Sequence, residues 1–169
     1  MTKSYITSII IIFCTVLVET AILSNIPVLP AVPDLLLLCT LYIGITNGKV
    51  AGEIAGFTSG LFLDFLSGAP FGFNCLFRTA IGFAAGFLGI SFNFEGILMP
   101  AVLGFIGTVL KVFFVWIISL LYPNVKAVYH LFSIPFLFEL TVNVVLAPLV
   151  FKFLSLFKSS LSLKPEDTK

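Results

Sequence analysis

Apolar stretches of about twenty residues follow one another almost from end to end of this chain, separated only by short polar or proline-containing links. A helix that crosses a bilayer needs about 20 such residues, so the pattern points to a bundle of membrane-spanning helices. Of the 169 residues only 10% are charged, against roughly 25% in a soluble domain. A water-soluble fold is excluded on that ground. One transmembrane domain over residues 1–157 and a polar cytoplasmic tail over 158–169 account for the whole length. The net charge of +1 gives no reason to expect nucleic acid or an acidic substrate as a partner.

Six spans are expected. The first, Tyr5 to Ser24, follows Lys3. It is longer than a typical signal-peptide core and has no A-x-A site at its end, so it reads as a retained span. Pro27, Pro30 and Pro33 then preclude a regular helix, in a segment apolar enough to lie in the interface or dip into the membrane. The second span opens at Asp34 and ends near Thr46, before the turn Asn47-Gly48-Lys49. At about 1.5 Å per residue it reaches only about 20 Å, less than the roughly 30 Å apolar core. The proline-rich segment is expected to supply the missing depth. The remaining spans are Val50–Leu66, Phe71–Ile90, Ile97–Leu121 and Leu131–Phe157, the last carrying Pro148 and an expected kink.

Lysines retained on the cytoplasmic side orient such a bundle. With both termini inside, Lys3, Lys49, Lys152, Lys158, Lys164 and Lys169 fall in the cytoplasm and Lys126 outside, while the link after the fourth span carries Glu95 and no base.

The third span and its preceding turn place Gly48, Gly52, Gly56 and Gly60 at four-residue intervals beside Ala51, Ala55 and Ser59, and the fourth repeats the device with Gly82 and Gly86. Lipid gives helices no hydrophobic reason to associate, so close backbone contact along small-residue stripes becomes a main source of packing. Gly52, Gly56, Gly60, Gly82 and Gly86 are therefore expected to pack helices inside the bundle or to face a partner.

Charges inside apolar spans cost about 2.5–3.5 kcal/mol each on insertion scales and by default pair in the interior. Glu19, Asp34, Asp64, Arg78, Lys111 and Glu139 all fall toward one half of the bilayer in this topology, which suggests a single network. Asn74 shares a helix face with Arg78, and Asn143 with Glu139, at i, i+4 spacing. The pair most expected is Asp64 with Arg78, across the hairpin of the third and fourth spans. Such pairs hold a bundle in register, line a proton or solute pathway, or form a cleft for a partner helix.

No catalytic motif is present: no G-x-S-x-G, Walker loop or H-E-x-x-H occurs. The single histidine, His130, sits in an expected outer loop without a carboxylate or cysteine at metal-ligand spacing. Cys14, Cys39 and Cys75 lie inside apolar runs and read as small hydrophobes. No enzyme activity, metal or cofactor is expected.

The stretch Val32-Pro33-Asp34 with its leucine run, then Gly48-Lys49-Val50-Ala51-Gly52, Gly56-Phe57, Gly60-Leu61 and Asp64 to Asn74 through Ser67-Gly68-Ala69-Pro70-Phe71-Gly72, resembles the family of the rod shape-determining protein MreD. The resemblance carries Pro33, Asp34, Gly56, Gly60, Asp64, Gly68, Pro70, Gly72 and Asn74. It lacks the basic cluster expected after the fourth span.

The resemblance implies a non-catalytic component of the cell-elongation machinery in the bacterial inner membrane, a partner of the bitopic protein MreC. Through MreC it would be linked to MreB and to the peptidoglycan-synthesising pair of a RodA-type polymerase and a penicillin-binding transpeptidase. The architecture implied is similar to that of the substrate-binding subunits of energy-coupling-factor vitamin transporters. Such a subunit is the alternative function, and it would need an outward pocket and a small-residue docking motif in the first span. No such motif is evident there.

Overall fold

The computed structural model describes residues 2–89, 96–120 and 133–161. Glu95, Lys126, His130, Lys164 and Lys169 lie outside the described residues. Those that are described form helices α1 (Thr2–Leu17), α2 (Leu35–Asn47), α3 (Lys49–Ser67), α4 (Phe73–Leu88), α5 (Leu98–Ser119), α6 (Ile134–Ser155) and the short α7 (Lys158–Leu161), with no strand among them. Four helical stretches are long and apolar enough to cross a membrane: Ser4–Asn25, α3, α5 and α6. The shorter α2 and α4 have 13 and 16 residues.

α2 is the axis of the molecule. It is apolar all round, the pattern of a helix enclosed by others, and its ten residues from Leu36 to Ile45 are all buried. α1, α3, α4, α5 and α6 each touch it. Its start is set by Asp34, whose side chain accepts from Leu37 N at 2.8 Å. Its end is set by Gly48, which takes a positive φ of 93° and returns its N–H to the Gly44 carbonyl. Before α2, the chain from Ile26 to Pro33 is irregular, as its prolines require.

The glycine stripes join α3 to α4 in the most extensive helix contact of the structure. Gly52 and Gly82 face each other so closely that a methyl group on either would overlap the other's backbone carbonyl. Gly56 lies against the carbonyl of Arg78, Gly60 against the backbone of Asn74 and Cys75, and Gly86 against Gly48 and Lys49. All five predicted glycines are thus enclosed between helices. The alternative of a free partner face on them is corrected, because the space a partner would need is filled by backbone.

α5 and α6 form a second hairpin-like pair, with Gly104 against Ala147. Pro148 lies within α6, which continues unbroken to Ser155. The chain then turns into α7, which lies on α1 and buries Leu161 completely. Lys158 to Leu161, expected as the start of a polar tail, therefore packs as a helical turn. The start of α1 lies by the α2–α3 turn, where Ser4, Tyr5, Asn47 and Ala51 line a cavity of about 10 Å³, room for one water.

Large apolar side chains such as Phe57, Phe83, Phe87, Phe113, Trp116 and Leu149 are exposed around the bundle, while Glu19, Asp34, Asp64, Arg78, Lys111 and Glu139 are buried within it. A contiguous apolar exterior of this kind matches contact with lipid.

Overpacking a close-packed site costs about 1–3 kcal/mol. Gly82→Ala is expected to destabilise detergent-solubilised protein by that amount, seen as a lower thermal unfolding midpoint. Gly107→Ala should cost less, since the added methyl meets only the side-chain end of Leu41.

Candidate functional site

The start of α2 gathers side chains from almost every other helix. Four N–H groups at a helix N-terminus lack intrahelical partners, and in apolar surroundings each must be satisfied within the protein. Asp34 caps Leu37, as above. Leu36 N donates to Glu19 Oε2 at 3.1 Å, and Asp34's own N–H donates to Asn143 Oδ1 at 3.0 Å.

Glu19 reaches this position from a π-helical turn, Val18–Ile22, that follows α1. Such a turn adds a residue to the helical repeat and re-aims the side chains that follow, a device frequent at functional sites.

Asp34 is also the centre of an ion-pair chain. Arg78 Nη2, from α4, donates to Asp34 Oδ1 at 2.8 Å and Oδ2 at 2.9 Å. Lys111 Nζ, from α5, lies 2.7 Å from Asp34 Oδ2 and 2.6 Å from Glu139 Oε1 on α6. Asn143, one turn beyond Glu139, donates to the Thr108 hydroxyl at 3.1 Å. Asp34 and Arg78 are 1% exposed and Glu139 and Asn143 0%, so these contacts are held out of solvent. Arg78 also lies over the ring of Phe77, 5.4 Å from its centre. Arg78 Nε and Nη1 and Glu139 Oε2 make no hydrogen bond among the described residues.

Five of the six predicted charges, Glu19, Asp34, Arg78, Lys111 and Glu139, are therefore brought together, with Asn143. Asp64 and Asn74 are not part of the cluster, and the expected Asp64–Arg78 pair is corrected. Asp64 instead serves the N-terminus of α4. Its Oδ2 accepts from Gly72 N at 2.9 Å and Cys75 N at 3.3 Å, and its Oδ1 from Asn74 N at 2.9 Å and Asn74 Nδ2 at 2.8 Å. Gly72, at φ 88°, and Gly68, at φ 69°, supply the left-handed backbone that lets the turn fold back over the carboxylate. Pro70 starts the turn, its carbonyl accepting from Phe73 N. The physical reason for the correction is position. Asp64 sits at the end of α3 beside four donors of the turn and of α4's first residues, whereas Arg78 is a helical turn farther along α4 and meets Asp34.

Thr108 was not among the sequence candidates. Its signal was available: it lies three residues before Lys111, on the same face of α5.

The arrangement holds helices by charge and hydrogen bonds. Apart from Arg78 Nε and Nη1 and Glu139 Oε2, its polar atoms are directed at each other and at backbone N–H groups. Among the described residues no group of three metal-ligating side chains comes together.

Removing one member of a buried pair costs about 3–5 kcal/mol. Asp34→Ala and Arg78→Ala are each expected to fall in that range in equilibrium unfolding, and the double variant should lose much less than their sum. Asp64→Ala should cost a capping interaction, about 2 kcal/mol, and combine with Arg78→Ala additively to within about 0.5 kcal/mol. Strong coupling between Asp64 and Arg78 would contradict the geometry.

A family model described as rod shape-determining protein MreD matches residues 1–157. No curated protein and no solved structure matches the chain. The matched region takes in α1 to α6 with both capping aspartates and the whole ion-pair cluster, and the chain accordingly belongs to the family of the rod shape-determining protein MreD.

Proposed function

We propose that this chain is a non-catalytic membrane scaffold of the bacterial cell-elongation complex, which determines rod shape by holding the bitopic protein MreC. Through MreC it connects to MreB and to a RodA-type polymerase with its penicillin-binding transpeptidase. The observation that carries the reading is the family match over residues 1–157, taken with a polar interior whose side chains are engaged in joining helices. A vitamin-binding subunit would need those polar groups to face a pocket, and here they face one another.

In this reading all six long helices cross the inner membrane, α2 and α4 included. The segment Ile26–Pro33 completes the depth that α2 lacks. Both termini are cytoplasmic, and Lys49, Lys152 and Lys158 mark the cytoplasmic end. In support, the first turn of α1 lies beside the α2–α3 turn, and α7 returns to α1. The partner helix meets a surface other than the α3–α4 glycine seam, which is filled.

A scaffold and a proton pathway differ in what they ask of Glu19. Glutamine at that position keeps an oxygen to accept from Leu36 N but cannot pass a proton. Glu19→Gln is expected to restore rod shape to cells lacking the native protein and to co-purify MreC from membranes at wild-type yield. A folded Glu19→Gln protein that fails in both would count against the scaffold. Failure of folded wild-type protein to recover any MreC would remove the proposed partner.

A further inference from the structure

The charges gathered at the start of α2 do not cancel. Asp34 and Glu139 meet Arg78 and Lys111 through contacts of 2.6 to 2.9 Å, two acids to two bases. Glu19 is a third acid at the same place, 7% exposed. It accepts from Leu36 N at 3.1 Å, and none of the ion pairs among the described residues includes it. Arg78 is engaged with Asp34, and Lys111 with Asp34 and Glu139. A carboxylate at Glu19 would therefore leave one uncompensated negative charge inside an apolar bundle, among the costliest groups a protein interior can hold.

The surroundings narrow what neutralises it. No group of three metal-ligating side chains comes together among the described residues. α2 brings Asp34 and also Cys39, whose thiol lies 3.7 Å from the hydroxyl of Thr15, one turn before Glu19. α3 packs on the π-turn as well. Its Asp64 is committed to the start of α4, while Lys49 and Glu53 lie toward its opposite end, Lys49 over the Phe87 ring. From α4, α5 and α6 come Arg78, Lys111 and Glu139, whose charges are spent on Asp34 and on one another. A proton is the remaining neutraliser. The carbonyl oxygen of a carboxylic acid accepts from an N–H as a carboxylate does, so the Leu36 contact is kept without charge.

We propose that Glu19 holds one bound proton in the folded bundle at neutral pH, so that α1 is fastened to α2 by a carboxylic acid. The proton is held and not relayed, because the hydrogen bond of Glu19 ends on a backbone N–H. The inference rests on packing and charge, and it stands whether or not the chain holds MreC.

A free glutamate ionises near pH ~4.3, so above that range the folded protein carries one proton more than the unfolded chain. Stability then falls as pH rises, and this one group raises the unfolding constant about tenfold per pH unit. Glu19→Gln supplies a neutral acceptor with no proton to lose. Unfolding constants of the full chain in mixed micelles are compared for both proteins between about pH 5.5 and 7, where contributions of the other groups cancel in the ratio. The ratio of wild type to Glu19→Gln is expected to rise about tenfold per pH unit, and a ratio independent of pH overturns the proposal. Infrared spectra of the folded proteins give a second readout. At neutral pH the wild type should show the carbonyl stretch of a protonated carboxylic acid, and Glu19→Gln should lack it. A wild-type spectrum without that band, or a band that persists in Glu19→Gln, overturns the proposal even if the variant's unfolding cannot be followed. Wild-type unfolding that responds to replacing choline by sodium would assign the neutralising charge to a cation and overturn it too.

Discussion

The architecture depends on satisfying the N-terminus of a helix enclosed by other helices. Where α2 begins, backbone donors must be met without water, and an unpaired one costs several kcal/mol in an apolar medium. Asp34 meets that demand with a carboxylate, which then requires positive charge of its own. Arg78 and Lys111 supply it, Lys111 in turn draws in Glu139, and Asn143 closes the ring on the Asp34 N–H. One local requirement thus recruits α4, α5 and α6, while Glu19 on the neighbouring N–H recruits α1. α3 contributes no group to the cluster and is held by its glycine seam with α4, by Asp64 and by its packing on α2.

The two aspartates of the family pattern share one physical task. Asp34 and Asp64 each serve a helix N-terminus, of α2 and α4 respectively, and each accepts four hydrogen bonds or ion-pair contacts. They differ in what balances them. Asp64 is met by three backbone N–H groups and one side-chain amide, all neutral dipoles at the positive end of α4. Asp34 is met by one backbone N–H and two cations. The second arrangement links distant helices, the first only shapes a turn. Burying a charge pair rather than an apolar contact offers little stability in itself. Its contribution here is register, since four helices must present matched groups at one level for any of them to be satisfied.

Much of this was legible in the sequence. A 13-residue apolar run preceded by three prolines announced a span too short to cross alone, although not that it would lie at the centre of the bundle. Glycines every four residues announced a close helix pair, because spacing fixes which residues share a face. Intramembrane charges announced a cluster, because isolated ones are too costly to persist. Partner choice was not legible. Hydropathy and spacing give the depth of Asp64 and Arg78 but not the rotation of their helices about the bundle, and the nearer sequence partner proved to be the wrong one. Nor was the π-turn that aims Glu19 inward, since nothing in Val18 to Ile22 distinguishes five π-helical residues from an ordinary helical run.

The same separation of interior and exterior bears on how a protein with no evident reaction chemistry takes part in cell shape. If its polar groups lined a cavity, changes at the cluster would alter what passes or binds there. Because they are directed at one another, the cluster instead sets how α1, α2, α4, α5 and α6 are arranged, and hence the shape of the apolar exterior that any membrane partner meets. Helix contacts of that kind are read through van der Waals fit, so small shifts in register at Asp34 would be felt as mismatched surfaces far from any charge. The buried ion pairs and the apolar exterior are in that sense one functional unit, with the polar part fixing the geometry and the apolar part presenting it.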